Sequence, residues 1–284
     1  MITPKIIDSA FSHLTHSCHD RGSSLIRWDR TTPSSDYVGD LFFTDYTLGL
    51  SGRFPRARKI AWILEPRAIN GHIYNMFMDN SNLPFDLVIS SDIEFLNTIS
   101  NTYKTEWVPV GGCWIKDRDC LVYEKTKSIS IIASGKKITE GHNLRHQCID
   151  NLGSLISGNC FGGGYNKIPY KLEGLRDYRF HIVIENSRSG GYFTEKIIDC
   201  FATGTVPIYW GDPLIGEIFD TSGMIIFRNV DHLSQIVNEI LEDPVSAYES
   251  KRSGIERNFG ISKEYYLSED WMIKNKPNIF NGKS

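Results

Sequence analysis

The residues best suited to chemistry lie between Glu185 and Lys196, in the stretch ENSRSGGYFTEK. An apolar run, Arg179–Ile184, leads into Glu185-Asn186-Ser187, and a glycine-bearing loop, Arg188-Ser189-Gly190-Gly191, follows. Thr194 then stands where a helix N-cap belongs, with a hydroxyl able to accept from an orphan amide. Glu195 and Lys196 fall in the first turn, Ile197, Ile198 and Phe201 share the inward side, and Gly204 closes the helix. A strand, a flexible loop and a helix start together make an anion site, because free amides and the positive end of the helix dipole point at the ligand. Lys196 adds a full charge, and Glu195 offers an acceptor for sugar hydroxyls. The set suits a nucleoside diphosphate that carries a sugar. The same residues would also serve as an ordinary capped helix with a solvated lysine.

Elements on both sides must hold this segment in place. Ser128–Ala133 reads as a strand, His142–Ile156 as a helix, Val206–Trp210 and Gly223–Phe227 as strands, and Glu195–Thr203 and Leu233–Leu241 as helices. Strand and helix in turn imply right-handed βαβ units around a parallel sheet. In the first half, Ile26–Trp28, Asp40–Thr44, Lys59–Leu64 and Asp86–Ser90 have the continuous apolar character of strands buried on both faces. Helical pattern between them is weak, and Ile93–Ile99 is its best instance. Trp107–Trp114 is extended and turns at Gly111-Gly112, and the polar Asp117–Lys127 reads as a linker. The expected organisation is an N-terminal domain over 1–116, a linker over 117–127, a C-terminal domain over 128–262, and a helical tail over 263–284 that packs back on the first domain. The fold class is α/β, two Rossmann-like doubly wound domains facing a cleft, with ligands at the carboxyl ends of the strands.

Composition sets the frame. The 284 residues suit about two domains at ~150 residues each. A chain that is 40% hydrophobic and 23% charged is neither disordered nor collagen-like. No apolar run reaches the ~18 residues of a membrane span, and the N-terminus has no secretory pattern, so a cytoplasmic protein is expected. The net charge of −3 gives no general footprint for a phosphate backbone. The six cysteines form no CxxC pair and read as reduced thiols.

The pattern Glu185-Asn186-Ser187, Tyr192-Phe193-Thr194-Glu195-Lys196 and Val206-Pro207-Ile208-Tyr209-Trp210-Gly211 resembles the donor-binding signature of glycosyltransferase family 10, the α1,3/α1,4-fucosyltransferases. Fainter resemblance runs from about Ser128 to about Phe227. The resemblance implies a GT-B fold and an inverting transfer from GDP-fucose. It puts Glu195 on the donor sugar or ribose, Lys196 on the diphosphate, Tyr192 in the donor pocket, and Glu185 and Asn186 at the loop or the nucleotide. Arg145, in Gly141-His142-Asn143-Leu144-Arg145, matches an arginine that holds the diphosphate, for which a guanidinium offers two-pronged contact. Inversion needs a carboxylate base for the acceptor hydroxyl. The matching place is Trp62-Ile63-Leu64-Glu65-Pro66-Arg67, so Glu65 is the expected base, with Asp45, Asp92 and Glu94 in reserve. A cap or an ion pair with Arg67 is the plainer role for Glu65.

No cofactor is required on this reading. The donor is the substrate, Arg145, Lys196 and the helix amides suffice for the leaving group, and a divalent ion could at most stimulate. Asp117-Arg118-Asp119 has the D-x-D form but lies in the expected linker, and the cluster His13, His16, Cys18 and His19 has an irregular ligand pattern for zinc with no second cluster. Phe161-Gly162-Gly163-Gly164-Tyr165 reads as a surface loop, since it has no strand-to-helix context. The tryptophans Trp62, Trp107, Trp114 and Trp210 are core or sugar-stacking residues. The acceptor partner needs a free hydroxyl, a glycan first and a modified nucleic-acid base second. Another donor sugar and a non-catalytic sugar-nucleotide or glycan-binding module are the competing functions.

Overall fold

The computed structural model describes residues 1–19 and 21–280, so the last four residues of the expected tail, 281–284, lie outside the described residues. The chain forms two compact units. One gathers Met1–Gly112, Ser189–Tyr192 and the chain from Leu267 onward; the other gathers Cys113–Arg188 and Phe193–Tyr266.

The first unit is built on five parallel strands in the order β1-β2-β3-β4-β5: β1 Lys5–Ile7, β2 Asp40–Thr44, β3 Arg58–Ile63, β4 Leu87–Ser90 and β5 Thr105–Trp107. Both faces are covered, so the inner strands are apolar without alternation. Phe43, Ala61, Ile63 and Val88 share a core with Ile73, Tyr74 and Phe77 of helix α1 (Arg67–Asp79) and Phe95, Leu96 and Ile99 of α2 (Ile93–Ile99). On the alternate positions, Phe42 meets the rings of Trp28 and Phe280, and Trp62 meets Phe11. The cover here is irregular chain together with the C-terminal helix Ser268–Asn275. Its Glu269 is fully buried and accepts from Ser17 N (2.7 Å), Ser17 Oγ (2.6 Å) and Trp28 Nε1 (3.0 Å).

The expected strand Ile26–Trp28 does not form. Ile26 and Asp29 make only isolated parallel bridges to Ile2 and Lys5, and Trp28 is buried as a side chain of the irregular cover. The apolar residues there serve burial without a ladder.

The second unit also has five parallel strands, in the order β10-β9-β8-β6-β7: β6 Lys127–Ile132, β7 Cys160–Phe161, β8 Tyr178–Ile184, β9 Val206–Trp210 and β10 Ile225–Ile226. The strand expected over Gly223–Phe227 shrinks to the last of these. Helices α3 (Glu140–Leu152), α4 (Glu195–Ala202) and α5 (Val230–Glu242) belong to this unit. The chain leaves β6 on one side to make β7, then returns to make β8 on the other side. The carboxyl ends of β6 and β8 therefore mark the point where strand order reverses, the usual place for a ligand in an open α/β sheet. Thr194 caps α4, Ile197, Ile198 and Phe201 are fully buried, and Gly204 takes a positive φ of 69° after the last turn. No helix among the described residues is long and apolar enough to cross a membrane.

Candidate active site

A cavity of about 260 Å³ opens at that reversal point. Ile132, Ser134 and Lys136 reach it from the end of β6, and Ile184 and Asn186 from the end of β8. Arg145 and His142 come from the first turns of α3, and Glu195, Lys196 and Asp199 from α4. Lys171, His181 and Trp114 complete the polar lining. Four of the residues singled out by sequence, Arg145, Asn186, Glu195 and Lys196, are thus brought together. The other three named for the donor do not line the cavity. Glu185 is fully buried behind it, Thr194 is buried as the cap, and Tyr192 is buried within the first unit.

Glu185 explains how the loop is held. One oxygen accepts from Thr194 N (2.9 Å), and the other accepts from Thr194 Oγ1 (2.8 Å) and Lys196 Nζ (3.0 Å). The carboxylate ties the end of β8 to the start of α4, so the loop between them is closed by charge-assisted bonds. Lys196 Nζ also donates to Thr194 Oγ1 at 2.9 Å. Glu195 Oε1 lies 3.8 Å from the same ammonium. Arg145 donates to the Ile184 carbonyl through Nε (2.9 Å) and Nη2 (2.7 Å), and Nη2 also reaches Asn186 Oδ1 at 2.9 Å. The arginine is therefore fixed by the strand end it overlooks. Gly141 allows α3 to start so close: a Cβ there would meet the Glu185 carbonyl oxygen at 1.7 Å.

Lys171 is the cation that sequence reading missed. Its Nζ lies 3.0 Å from Glu195 Oε1 and 3.0 Å from Asp199 Oδ2, and 4.1 Å from the centre of the Trp114 ring. Asp199 Oδ1 accepts from Trp114 N at 2.7 Å. Asp199 stands four residues after Glu195, on the same face of α4, and that spacing was a usable signal. Lys171 sits in a short 3-10 turn, Lys171–Gly174, after Pro169, and no periodicity marks it.

Charge in the cavity follows from these contacts. Burial pushes the Glu195 carboxyl up, but Lys171 and Lys196 outweigh it and hold it down to about 2. Burial also raises the Asp199 carboxyl, with Lys171 opposing. Burial and then the neighbouring Arg145 pull His142 down to about 4, and burial and Lys171 pull His181 down to about 3, so both imidazoles are neutral at pH 7. Lys136, Arg145, Lys171 and Lys196 then face Glu195 and Asp199, and Glu185 behind the cavity pairs with Lys196, so one positive charge is in surplus with all three carboxylates ionised. That surplus suits an anion.

The carboxylates singled out in the first half lie in the first unit. Glu65 stands two residues past the end of β3 and is exposed, and its carbonyl accepts from Tyr74 Oη at 2.9 Å. Asp45 follows β2 and is buried. Asp92 caps α2 by accepting from Phe95 N (2.9 Å) and pairs with Arg67 (3.3 Å), while Glu94 is exposed in the first turn of α2. Among the described residues no group of three or more His, Cys, Asp or Glu is placed to hold a metal ion. His16 is a buried histidine against the Ile26 carbonyl, and Asp117-Arg118-Asp119 is a 3-10 turn. Trp62 and Trp210 are buried core residues, whereas Trp114 is 44% exposed at the cavity.

Comparison with known proteins agrees with this geometry. Residues 122–249 match the family described as glycosyltransferase family 10 (fucosyltransferase), C-terminal part. An α-(1,3)-fucosyltransferase of Helicobacter pylori is 32% identical over 136 residues, covering 41% of this chain and 28% of the relative. An α-(1,4)-fucosyltransferase of Arabidopsis thaliana is 26% identical over 143 residues, covering 44% and 35%. The matched chain thus spans about a third of the length of these relatives. An α1,3-fucosyltransferase crystallised with GDP-fucose superposes with a TM-score of 0.54 at 19% identity, over 92% of this chain and 82% of that one. A trehalose-6-phosphate synthase, studied for glycosyl transfer with retention, superposes with a TM-score of 0.57 at 11% identity, over 87% and 74%. The fold is that of the GT-B glycosyltransferases.

Proposed function

We propose, from the premise that residues 122–249 form a family 10 glycosyltransferase domain, that the chain is an inverting fucosyltransferase. Its donor is GDP-fucose and its acceptor a glycan hydroxyl. The observation that carries the reading is the cavity at the β6/β8 reversal point, with its net positive lining and the capped start of α4. Arg145, Lys196 and the first amides of α4 hold the diphosphate, and Lys136 adds to the field around it. Asn186 orients Arg145, and Glu195, kept ionised by two lysines, accepts from hydroxyls of the sugar or ribose. Glu185 and Thr194 keep the loop shaped, and Tyr192 anchors its far end.

The transfer is a single displacement. Glu65 takes the proton of the acceptor hydroxyl as its oxygen bonds to the anomeric carbon, and the bond from that carbon to the diphosphate oxygen breaks. The two electrons of that bond leave with GDP, whose new charge meets Arg145 and Lys196. No metal is needed for this step.

Thermal shift with a panel of nucleotides tests the donor, since a ligand of the folded state raises the melting temperature. GDP and GDP-fucose are expected to stabilise the protein, and a response confined to uridine nucleotides would sink the fucose reading. Glu65→Gln is expected to lower kcat by about 10²–10⁴-fold while the GDP shift stays. Unchanged turnover would remove Glu65 from the mechanism.

A further inference from the structure

The turn after β2 carries several costs at one point. Asp45 is the one non-glycine residue with a positive φ, 36°, among the described residues. It is 2% exposed, and its Oδ2 has no hydrogen-bond partner among the described residues. Its Oδ1 accepts from the backbone N–H of Glu65 at 3.5 Å and from Asn70 Nδ2 at 3.4 Å. Asn70 is fully buried at the one non-helical position inside α1, and its Oδ1 accepts from Tyr46 Oη at 2.7 Å. A strained backbone, a half-satisfied buried carboxyl and a kinked helix therefore meet at the turn that carries Glu65.

A buried polar atom without a partner is unfavourable, and backbone outliers persist where surrounding structure imposes them. At this turn they place a carboxyl against the amides of Leu64 and Glu65, the second being the amide from which the Glu65 side chain departs. β2 and β3 are adjacent parallel strands with Thr44 opposite Trp62, so Asp45 and Glu65 leave the same edge of the sheet.

We propose that Asp45 is a positioning residue for Glu65, its carboxylate accepting the amide of the turn so that the base starts from a fixed place. The proposal rests on the reading of Glu65 as the base. Asp45 itself, at 2% exposure, does not touch the substrate.

The test separates the carboxyl from the backbone shape. Asp45→Gly keeps the positive φ at no steric cost and deletes the acceptor, whereas Asp45→Asn keeps an acceptor oxygen and tolerates the same φ. Asp45→Gly is expected to lower kcat at least tenfold, with the GDP-induced thermal shift and donor KM unchanged, and Asp45→Asn is expected to recover most of it. Unchanged kcat in Asp45→Gly, or equal loss in both variants, overturns the proposal. The GDP shift reports on the second unit, and an unchanged near-ultraviolet circular dichroism spectrum shows that the aromatic core of the first unit is folded in each variant. Glu65→Gln, measured alongside, keeps the two readings apart. If it is inactive while Asp45→Gly is intact, only the positioning role fails; if it is active, the base assignment fails and takes this role with it.

Discussion

Two carboxyl groups, Glu195 partly buried and Asp45 fully buried, sit near the carboxyl ends of the two sheets and have opposite fates. Glu195 faces Lys171 and Lys196 and is held down to about 2, against 4.5 for the free group. Asp45 has amides and an asparagine beside it, and the Glu65 carboxyl nearby, and burial pushes it up to about 7 from 3.8. Burial opposes ionisation in both places, so what differs is the local cation. The second unit uses lysines to keep Glu195 charged beside its cavity. The first leaves the Asp45 carboxyl without a cation, near the exposed Glu65.

The largest expected effect comes from making the second region resemble the first. Lys171→Met leaves Glu195 and Asp199 without their shared cation, and loss of about 3–5 kcal/mol in urea denaturation at pH 7 is expected. A loss below about 1 kcal/mol would mean that the ion pairs contribute little and that the contrast is one of geometry alone.

The pH dependence sharpens the contrast, because the signs differ. The folded value for Asp45 lies above the unfolded one, so the folded state keeps its proton longer. Its contribution to stability is greatest below about pH 4 and declines as pH rises towards about 7. Glu195 behaves conversely: its contribution is present above about pH 4.5 and is lost as pH falls through about 2. Asp45→Asn should therefore gain stability relative to the parent as pH rises from 4 to 7, at up to about 1.4 kcal/mol per pH unit. A difference that stays flat over that range would show that Asp45 titrates as it does in the unfolded chain. His142 adds an acid-side loss. Its imidazole is neutral in the folded state down to about 4, so its contribution to stability falls as pH drops below its free value of 6.5.

The smallest effect is expected at the cavity rim. Trp114→Ala removes a half-exposed ring beside Lys171 without touching the ion pairs themselves. Donor affinity measured by calorimetry should weaken by a few-fold, in line with ~1 kcal/mol for a cation–π contact that is partly in water. A hundredfold loss would make Trp114 a principal donor contact.

How much of this was legible in sequence varied with the length of the pattern. Asp40–Thr44, Ile93–Ile99 and Val206–Trp210 are read with the ends the structure gives, the strands because apolar runs mark them and the helix as the best instance of a weak helical pattern. Helix α1 escaped notice. Its apolar side is only Ile73, Tyr74 and Phe77, it carries Asn70 and Gly71 inside, and Pro66 offers no side-chain cap. β1 is three residues long, too short for a pattern to register. Asn186, Glu195 and Lys196 were readable as neighbours because strand, loop and capped helix are consecutive in the chain. Lys171 was not, since its meaning comes from Asp199 and Glu195, which approach it only in three dimensions. The strain at Asp45 likewise leaves no trace in residue types.

The division of the chain into units has a consequence for biosynthesis. The second unit is contained within Cys113–Tyr266, apart from the four residues Ser189–Tyr192. The first unit holds residues from both sides of it, and Glu269 satisfies Ser17, 252 positions earlier, and the indole of Trp28. A nascent chain can thus assemble most of the second sheet while the first still lacks its late-arriving cover. A chimera that exchanges only the first 112 residues would separate Trp28 from the acceptor it was selected with, so grafting between relatives requires three segments to travel together.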